Sequence, residues 1–385
     1  MNRPAFDFDA PVERRGTDSA RWEKYAGRDV IALWVADTDF QAPPAVLEAL
    51  AARVAHGVLG YSVPPEALRG QIVERLARLY GWRVLPEWLV FLPGVVPGLH
   101  LAARYLAGPQ EHVLVPHPIY AHFRKAVQLA PRAASEMPLV LEHGRWVFDE
   151  DAIGAALRPE SRLLLLCNPQ NPGGTIFTRA ELERLAQIAE RHDLVICSDE
   201  IHCDLLLDGG KPHVPIASLS AEISRRSVTL MSPNKTFNIA GAGCAFAVIE
   251  DAGLRRRFSV DLRYTVHDAS LFGYVAAVAA YRDGEAWLEA QLEYLRGNRD
   301  LVEQAVAGLP GLSMAHVEAT YLAWIDASAL RLADPQAHFL AHGLALSPGS
   351  DFGVPQFVRL NFGTQRALLR EALARFATAV NAAAG

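Results

Sequence analysis

The 385-residue sequence lacks the features that mark several large classes of protein. Its formal net charge is −6, so it has no excess of basic residues for binding nucleic acid. No uninterrupted apolar run approaches the length of a membrane span. The first seven residues contain no apolar segment of the kind found in signal peptides. We therefore expect a cytoplasmic protein with no nucleic-acid partner and no membrane partner.

Cysteine is also scarce, and the spacing of the four cysteines argues against two kinds of site. They form neither a paired metal-binding motif nor the dense framework of a disulfide-rich secreted domain. Three of them adjoin or lie in apolar runs, which predicts buried, reduced thiols. His202 and Cys203 follow an acidic pair, but no second ligand pair occurs at a suitable spacing. No metal site is predicted.

A further absence concerns nucleotide cofactors. No Gly-x-Gly-x-x-Gly turn follows a predicted strand, which argues against a nicotinamide-dependent dehydrogenase. Hydrophobic residues make up 51% of the chain and charged residues 21%, as in globular proteins. The length allows one large domain and a smaller one.

Lysine occurs only at positions 24, 125, 211 and 235, and arginine supplies the rest of the 37 basic residues. A primary amine that loses its proton and attacks a carbonyl cannot be replaced by a guanidinium group. Lys235 follows the apolar run from Ser227 to Met231, so we expect it at the end of a strand, where α/β proteins place ligands. A solvated surface lysine is the alternative interpretation.

Apolar strands alternate with helix-length segments from about residue 88 onwards. This pattern predicts an α/β fold with a mostly parallel sheet. Polar clusters at Gly94, Tyr120, Asn171, Asp199 and Lys235 each follow such a strand. Because the carboxyl ends of parallel strands share one edge of a sheet, we expect these clusters to converge. Helices are predicted at 66–80 and 285–307, and a strand at 30–35.

The residue types in these clusters fit an aldehyde cofactor that carries a pyridine ring and a phosphate. Lys235 can form a Schiff base with the aldehyde. Asp199 can keep the pyridine nitrogen protonated, so that the ring accepts electrons. Asn171 can donate to the phenolate oxygen beside the aldehyde, and Tyr120 can stack on the ring.

The phosphate and the substrate have their own candidate residues. Gly94, Val95 and Val96 form a turn that opens a predicted helix, whose free N–H groups and dipole favour an anion. Ser232 adds a hydroxyl group. The planar guanidinium group of Arg359 can bind a substrate carboxylate at two points.

Each of these residues also has an ordinary structural explanation. Asp199 can cap the turn after its strand, and the sequence Asn-Pro-Gly-Gly from position 171 is a common turn. Tyr120 can cover the edge of a core, and Arg359 can be one of many surface arginines.

Five stretches in combination resemble a known family. They are WVADTDF (34–40), PGVV (93–96), CNPQNPGG (167–174), SDEIH (198–202) and SPNKTFN (232–238). The set is similar to the fold-type I, aspartate-aminotransferase-like enzymes that depend on pyridoxal 5′-phosphate (PLP), in the branch of cystathionine β-lyases and C–S lyases. The resemblance covers essentially the whole chain. Each stretch alone is weakly specific, whereas five in this order are specific.

The resemblance implies a domain organisation. Residues 1–45 would form an N-terminal arm and part of the small domain. Residues 46–282 would form the large PLP-binding domain around a mostly parallel sheet. Residues 283–385 would complete a smaller α+β domain.

The resemblance also implies roles for individual residues. Lys235 would be the catalytic lysine that holds PLP, Asp199 the partner of the pyridinium nitrogen and Asn171 the donor to O3′. Tyr120 would stack on the ring, and His202 would lie near the phenolate. The phosphate would be bound by Gly94, Val95, Val96 and Ser232.

The substrate and the subunit partner follow from the same resemblance. Arg359 would clamp the α-carboxylate of an amino-acid substrate, with Asp37 also assigned to the substrate site. Tyr61 would reach the phosphate of the cofactor in the other subunit, which implies a homodimer.

Three positions depart from the pattern of the family. Thr38 stands where methionine is usual, and Asn234 where a small residue precedes the lysine. Gly243 stands where many relatives have an arginine that binds the phosphate. The phosphate would then depend on backbone N–H groups, Ser232 and Tyr61.

Two activities and one regulatory function fit this family. A carbon–sulfur β-lyase would cleave cystathionine or a related cysteine S-conjugate to a thiol, pyruvate and ammonia. An aminotransferase would use the same residues and pass the amino group to a 2-oxo acid. A regulatory protein that binds PLP and a partner is the third hypothesis, although no stretch of the sequence marks a partner surface.

Overall fold

The computed structural model describes residues 6–262 and 264–383. Within these residues the strands are β1 (Ile31–Ala32), β2 (Leu89–Leu92), β3 (His112–His117), β4 (Ala133–Glu142), β5 (Arg145–Phe148), β6 (Ser161–Cys167), β7 (Val195–Asp199), β8 (Ser227–Met231), β9 (Ala245–Val248), β10 (Ser313–Met314), β11 (Leu322–Asp326), β12 (Leu344–Ala345), β13 (Ser347–Pro348) and β14 (Phe357–Asn361).

The α-helices of the same residues are α1 (Ala20–Glu23), α2 (Pro44–His56), α3 (Glu66–Tyr80), α4 (Val95–Tyr105), α5 (Ala121–Leu129), α6 (Glu150–Ala156), α7 (Arg179–Arg191), α8 (Ala221–Arg225), α9 (Pro233–Thr236), α10 (Ala252–Phe258), α11 (Leu271–Asp283), α12 (Glu285–Ala307), α13 (Pro335–Ala341) and α14 (Arg366–Ala383). Within the described ranges, no helix combines the length and apolarity that crossing a bilayer requires.

An eight-stranded central sheet has the order β2-β9-β8-β7-β6-β3-β4-β5. The pairings of β4, β3, β6, β7 and β8 are parallel, whereas β9 runs antiparallel to both β8 and β2. The two reversals restore the direction, so β2 runs the same way as β8. The carboxyl ends of β2, β3, β6, β7 and β8 therefore share one edge, and the predicted mostly parallel α/β sheet is confirmed.

Helices cover both faces of this sheet. The side chains of α4 and α5 pack on one face, and those of α7 pack on the other. The middle strands β6 and β8 are therefore buried along nearly their whole length, which accounts for their unbroken apolar sequences. Gly98 lets α4 lie close to β8, because a Cβ atom at this position would be 2.9 Å from a methyl carbon of Leu230.

The C-terminal part of the chain contributes a second, antiparallel sheet in the order β10-β11-β14-β13. The N-terminal strand β1 pairs in parallel with β12, so the arm lies against this part of the molecule. The N–H of Asn361 also donates to the carbonyl oxygen of Leu33 at 2.9 Å. The predicted division at residues 45 and 282 stays a prediction.

Long periodic helices were predicted best. The predictions at 66–80 and 285–307 agree with α3 and α12, whereas the strand predicted at 30–35 is limited to β1. The antiparallel hairpin of β4 and β5 at the edge of the sheet was not predicted. Much of β4 is exposed, so it lacks the continuous apolar run by which the middle strands were recognised.

Candidate active site

The polar clusters that were predicted to converge surround one cavity of about 450 Å³ at the carboxyl edge of the central sheet. Of the predicted site residues, its lining contains Gly94, Val95, Val96, Tyr120, Asn171, Asp199, His202, Lys235 and Arg359. Asp37, Tyr61 and Ser232 are outside this lining. The topology explains the convergence, since most of these residues follow strands that end at the same edge.

Asp199 ends β7, lines the cavity and is only 5% exposed. Its Oδ1 accepts the N–H of Ile201 at 3.1 Å, and no ion pair to it occurs in residues 6–262 and 264–383. Burial raises the pKa of this carboxyl group to about 7, although the N–H of Ile201 and the charge of Lys235 oppose the shift. A buried carboxylate without a cation is costly, so the site favours a cationic N–H ligand at this point.

Lys235 lies in the short helix α9, just beyond the end of β8. Its Nζ atom donates a hydrogen bond to the carbonyl oxygen of Ala36. Burial lowers the pKa of Lys235 to about 8, even though the charges of Asp37 and Asp199 raise it. At pH 7 about one amine in ten would then be neutral, against about three in ten thousand at the ordinary lysine value.

Arg359 on β14 is 4% exposed and lies against the same cavity. Its Nη1 donates to Asn171 Oδ1 at 2.9 Å, and its Nη2 donates to the carbonyl oxygen of Trp34 at 3.0 Å and to Ser347 Oγ at 3.3 Å. Its Nε has no partner in the described chain, and burial lowers the pKa of the guanidinium group to about 10. The contacts hold a planar cation in place while leaving its charge available to a carboxylate.

The N-terminus of α4 supplies hydrogen-bond donors to the cavity. Gly94 precedes the helix and offers no side-chain cap, so the first-turn N–H groups of Val95 and Val96 are not satisfied by a capping side chain. These groups and the positive end of the helix dipole favour an anion, as the sequence predicted. Ser232 is placed differently. Its Oγ donates to the carbonyl oxygen of Cys244 at 2.6 Å and accepts the N–H of Asn234, so its role in phosphate binding stays a prediction.

Tyr120 and His202 complete the polar lining. Tyr120 lies between the end of β3 and α5, and burial raises the pKa of its hydroxyl group. His202 is 2% exposed, and its Nδ1 has no partner in the described residues. Burial lowers the pKa of His202 to about 3, with the charges of Lys235 and Arg359 acting in the same direction. The imidazole is therefore neutral at physiological pH.

The acidic turn at residues 36–40 is held from outside the cavity. Asp37 Oδ2 lies 2.7 Å from Arg14 Nη2, and its Oδ1 lies 3.6 Å from Arg21 Nη1. Asp39 lies 2.9 Å from Arg14 and 3.1 Å from Arg21. The carboxylate of Asp37 is thus engaged by the arm, and its assignment to the substrate site stays a prediction.

Sequence reasoning missed several residues around the cavity. Trp34 and Ala36 act through backbone carbonyl groups, which leave no signal in the side-chain pattern. Ser347 and Phe352 come from short C-terminal elements whose placement depends on the pairing of β13 with β14. In the described ranges, no group of three or more His, Cys, Asp and Glu residues is arranged to hold a metal ion.

Comparison with known proteins identifies the family. A model described as aminotransferase class I and II matches residues 28–376. The chain belongs to the class I and II aminotransferase family. Among curated members, it is 36% identical to the cystathionine β-lyase PatB of Bacillus subtilis (strain 168), over 97% of this chain and 100% of that protein. It is 32% identical to the protein MalY of Escherichia coli (strain K12), over 98% and 99% of the two chains.

Solved structures of similar proteins have the same fold. The crystal structure of OvoB has 51% sequence identity and a TM-score of 0.96, over 97% of this chain and 99% of that chain. The crystal structure of cystalysin from Treponema denticola, which contains a pyridoxal 5′-phosphate cofactor, has 28% identity and a TM-score of 0.92, over 98% and 100% of the two chains. The predicted aspartate-aminotransferase-like fold and the resemblance to the C–S lyase branch are confirmed.

Proposed function

We propose that this member of the family is a PLP-dependent carbon–sulfur β-lyase. It would cleave cystathionine or a related cysteine S-conjugate to a thiol, pyruvate and ammonia. The proposal is carried by one arrangement: Lys235, Asp199 and Arg359 face a single cavity without forming ion pairs to one another in the described chain. It is supported by full-length relatives that are named cystathionine β-lyases.

The residues of the cavity fit PLP. Asp199 is a buried carboxylate that forms no ion pair within the described residues, and a protonated pyridine nitrogen would supply a cationic partner. Asn171 accepts from Arg359 with its Oδ1, which leaves its donating Nδ2 for the phenolate oxygen. The N-terminus of α4 would hold the phosphate, and Tyr120 would cover the ring. Lys235 would hold the aldehyde carbon.

When bound at this site, PLP supplies an aldehyde that reacts with the substrate amine. It also supplies a ring that accepts the electron pair remaining on Cα after the α-proton is removed. Arg359 binds the α-carboxylate of the substrate with its fork of N–H groups and so orients the Cα–H bond. Exchange with the substrate amine would free Nζ of Lys235 from the aldehyde carbon. The lowered pKa of Lys235 makes this atom a base near neutral pH, and it would take the α-proton.

Lys235 lines the cavity and is half-buried. His202 in the same lining stays neutral, so it adds no positive charge beside the base. The leaving thiol departs from the β-carbon of the substrate. Its identity depends on the cavity lining, which also includes His122, Lys125 and Asp351.

The homodimer is part of the proposal. Tyr61 is fully exposed and lies outside the lining of its own cavity. It belongs to an apolar surface on α2 and the following loop, formed by Leu47, Val54, Val58, Leu59, Tyr61 and Val63, all at least 45% exposed. An apolar surface of this kind favours association, and a second copy would bring its Tyr61 to the phosphate. Cytoplasmic location stays an expectation.

Incubation with cystathionine, with and without a 2-oxo acid, tests the activity. We expect pyruvate and ammonia at the same rate in both reactions, because β-elimination needs no amino-group acceptor. Turnover that requires the 2-oxo acid would show an aminotransferase instead. That alternative retains some support, since the aspartate aminotransferase of Geobacillus stearothermophilus is 26% identical over 93% of each chain.

The replacement Tyr61→Phe tests the dimer separately from the chemistry. We expect weaker PLP binding and an unchanged dimer, because only the phosphate-facing hydroxyl is lost. Val58→Asp places a charge on the apolar surface and should shift the sedimentation coefficient towards that of a monomer. A protein that sediments as a monomer before any replacement contradicts the shared site.

A further inference from the structure

Tyr321 is a residue near Lys235 that the mechanism above does not use. Its hydroxyl group donates to the carbonyl oxygen of Ala36 at 3.0 Å. The Nζ atom of Lys235 donates to the same oxygen. A carbonyl oxygen has two lone pairs, so one acceptor can serve both groups. The tyrosine and the lysine are therefore neighbours that share a hydrogen-bond acceptor.

The side chain of Tyr321 is fixed by its surroundings. It is fully buried, and its ring contacts His202 edge to face, with ring centroids 6.1 Å apart. Burial raises the pKa of its hydroxyl group far above the ordinary tyrosine value, with Asp37 acting in the same direction. The group therefore remains a neutral donor at physiological pH and cannot replace Lys235 as a base.

The backbone just before Tyr321 is strained. Thr320 has a φ of +76°, in a region that β-branched residues rarely adopt. Its N–H donates to the carbonyl oxygen of Leu205 at 2.8 Å, and its Oγ1 accepts the N–H of Leu322 at 3.1 Å. Such strain persists only where the surrounding structure determines the conformation, and it is concentrated at functional sites. Here it sets the direction in which the chain enters β11 and presents Tyr321.

From this geometry we infer that Tyr321 is a positioning residue for Lys235. Its hydroxyl group occupies one lone pair of the Ala36 carbonyl oxygen and so weakens the hold of that oxygen on the lysine ammonium group. When Nζ turns towards the cofactor or the substrate, the buried carbonyl stays hydrogen-bonded and its desolvation cost is avoided. Tyr321 thus favours both the neutral form and the release of Lys235. The inference rests on the proposed role of Lys235.

Other groups also act on the charge of Lys235. The carboxylates of Asp37 on the acidic turn and Asp199 at the end of β7 favour the ammonium form. The guanidinium group of Arg359 on β14 opposes it. His202 is neutral, and Tyr321 contributes only through the shared oxygen. The test must therefore change the hydroxyl group and leave these charges in place.

The replacement Tyr321→Phe does this, and Tyr80→Phe is its matched control. Tyr80 is a partly buried tyrosine whose hydroxyl group lies 3.4 Å from Asp204 Oδ1. The protein without PLP is treated with trace acetic anhydride over a pH series, and each of the four lysines is quantified by mass spectrometry. The exposed Lys24 and Lys125 serve as internal references. This readout does not depend on lyase activity.

We expect Tyr321→Phe to raise the pKa of Lys235 by roughly 0.5 to 1 unit, the size of one hydrogen bond, and Tyr80→Phe to leave it unchanged. Replacing Tyr321 by 3-fluorotyrosine strengthens the donor and should shift the pKa of Lys235 downwards. This second change keeps the test decisive if Tyr321→Phe does not fold. If the pKa of Lys235 is the same in the wild-type protein and in both variants at position 321, the inference is wrong. If the pKa shifts appear but the protein shows no lyase activity, only the proposed function is wrong.

Discussion

Two groups of buried charged residues lie near Ala36. The group around Asp39 is ion-paired, whereas the group that lines the cavity is not. On the outer side, Arg21 and Asp39 are 0% and 2% exposed, and their charged atoms lie 3.1 Å apart. Arg14 adds a second contact to Asp39 at 2.9 Å. On the cavity side, Asp199 and Arg359 are almost as deeply buried, yet neither forms an ion pair within the described chain.

The two buried aspartates have opposite pKa shifts. Burial alone would raise the pKa of Asp39, but Arg21 and hydrogen bonds from Thr364, Trp22 and Arg14 bring it below the ordinary value. Burial raises the pKa of Asp199, and no comparable set of partners offsets it. The contrast shows that partners, and not depth, decide the state of a buried carboxyl group. A buried charge without a partner indicates where a ligand binds.

Replacing the lysine should have the largest effect. Lys235→Ala removes the proposed base and the cofactor-binding amine, so we expect a loss of lyase activity of about 10⁴-fold. Borohydride reduction of the PLP-loaded wild-type protein should attach the cofactor to the peptide that contains Lys235, as mass spectrometry can show. Lys24→Ala serves as the control and should keep both properties. A regulatory function that does not need chemistry would survive in Lys235→Ala.

Removing one arginine from each side of Ala36 tests the comparison directly. Arg21→Ala leaves Asp39 buried without its main partner, so we expect the free energy of unfolding to fall by about 3–5 kcal/mol. Arg359→Ala removes three hydrogen bonds but, within the described residues, no ion pair, so the cofactor-free protein should lose less, about 1–2 kcal/mol. Urea unfolding measures both. Similar losses in the two variants would show that both arginines are structural.

The two aspartates predict opposite dependence on pH in the cofactor-free protein. The pKa of Asp199 is raised in the folded protein. Its favourable contribution to the free energy of unfolding is therefore fully present below about pH 4 and is lost as pH rises through about 7. Asp199→Asn should therefore stabilise the protein relative to wild type as pH rises across this range, by on the order of 2–4 kcal/mol. Because the folded pKa of Asp39 is lowered, Asp39→Asn should lose stability at neutral pH and less in acid. Unfolding curves at several pH values decide whether the signs differ.

A conservative replacement of Arg359 should have the smallest effect. Arg359→Lys keeps the charge and loses the fork that binds a carboxylate at two points. We expect kcat/KM for cystathionine to fall about 10- to 100-fold, mainly through KM. Steady-state kinetics with the substrate and with its decarboxylated amine measure the effect. A similar fall for the amine would argue against a carboxylate at Arg359.

The sequence was sufficient for those parts of the site that follow local rules. Lys235, Asp199 and Asn171 could be located because each follows an apolar strand of a parallel sheet, and such strands end at one edge. The unpaired state of Asp199 and Arg359 could not be predicted, because pairing depends on three-dimensional neighbours. The roles of Ala36 and Tyr321 could not be predicted either. Ala36 acts through its backbone carbonyl oxygen, and Tyr321 immediately precedes β11 in the C-terminal sheet.

The oxygen shared by Lys235 and Tyr321 belongs to the main chain, so no exchange of side chain at position 36 can delete it. Only its location can change, and that location is set by contacts to the neighbouring residues of the acidic turn, such as those of Arg14 and Asn361. Substitutions on the outer surface of the arm should therefore change the reactivity of the Lys235 amine. Selection for a faster or slower enzyme could act there without altering any group that touches the substrate.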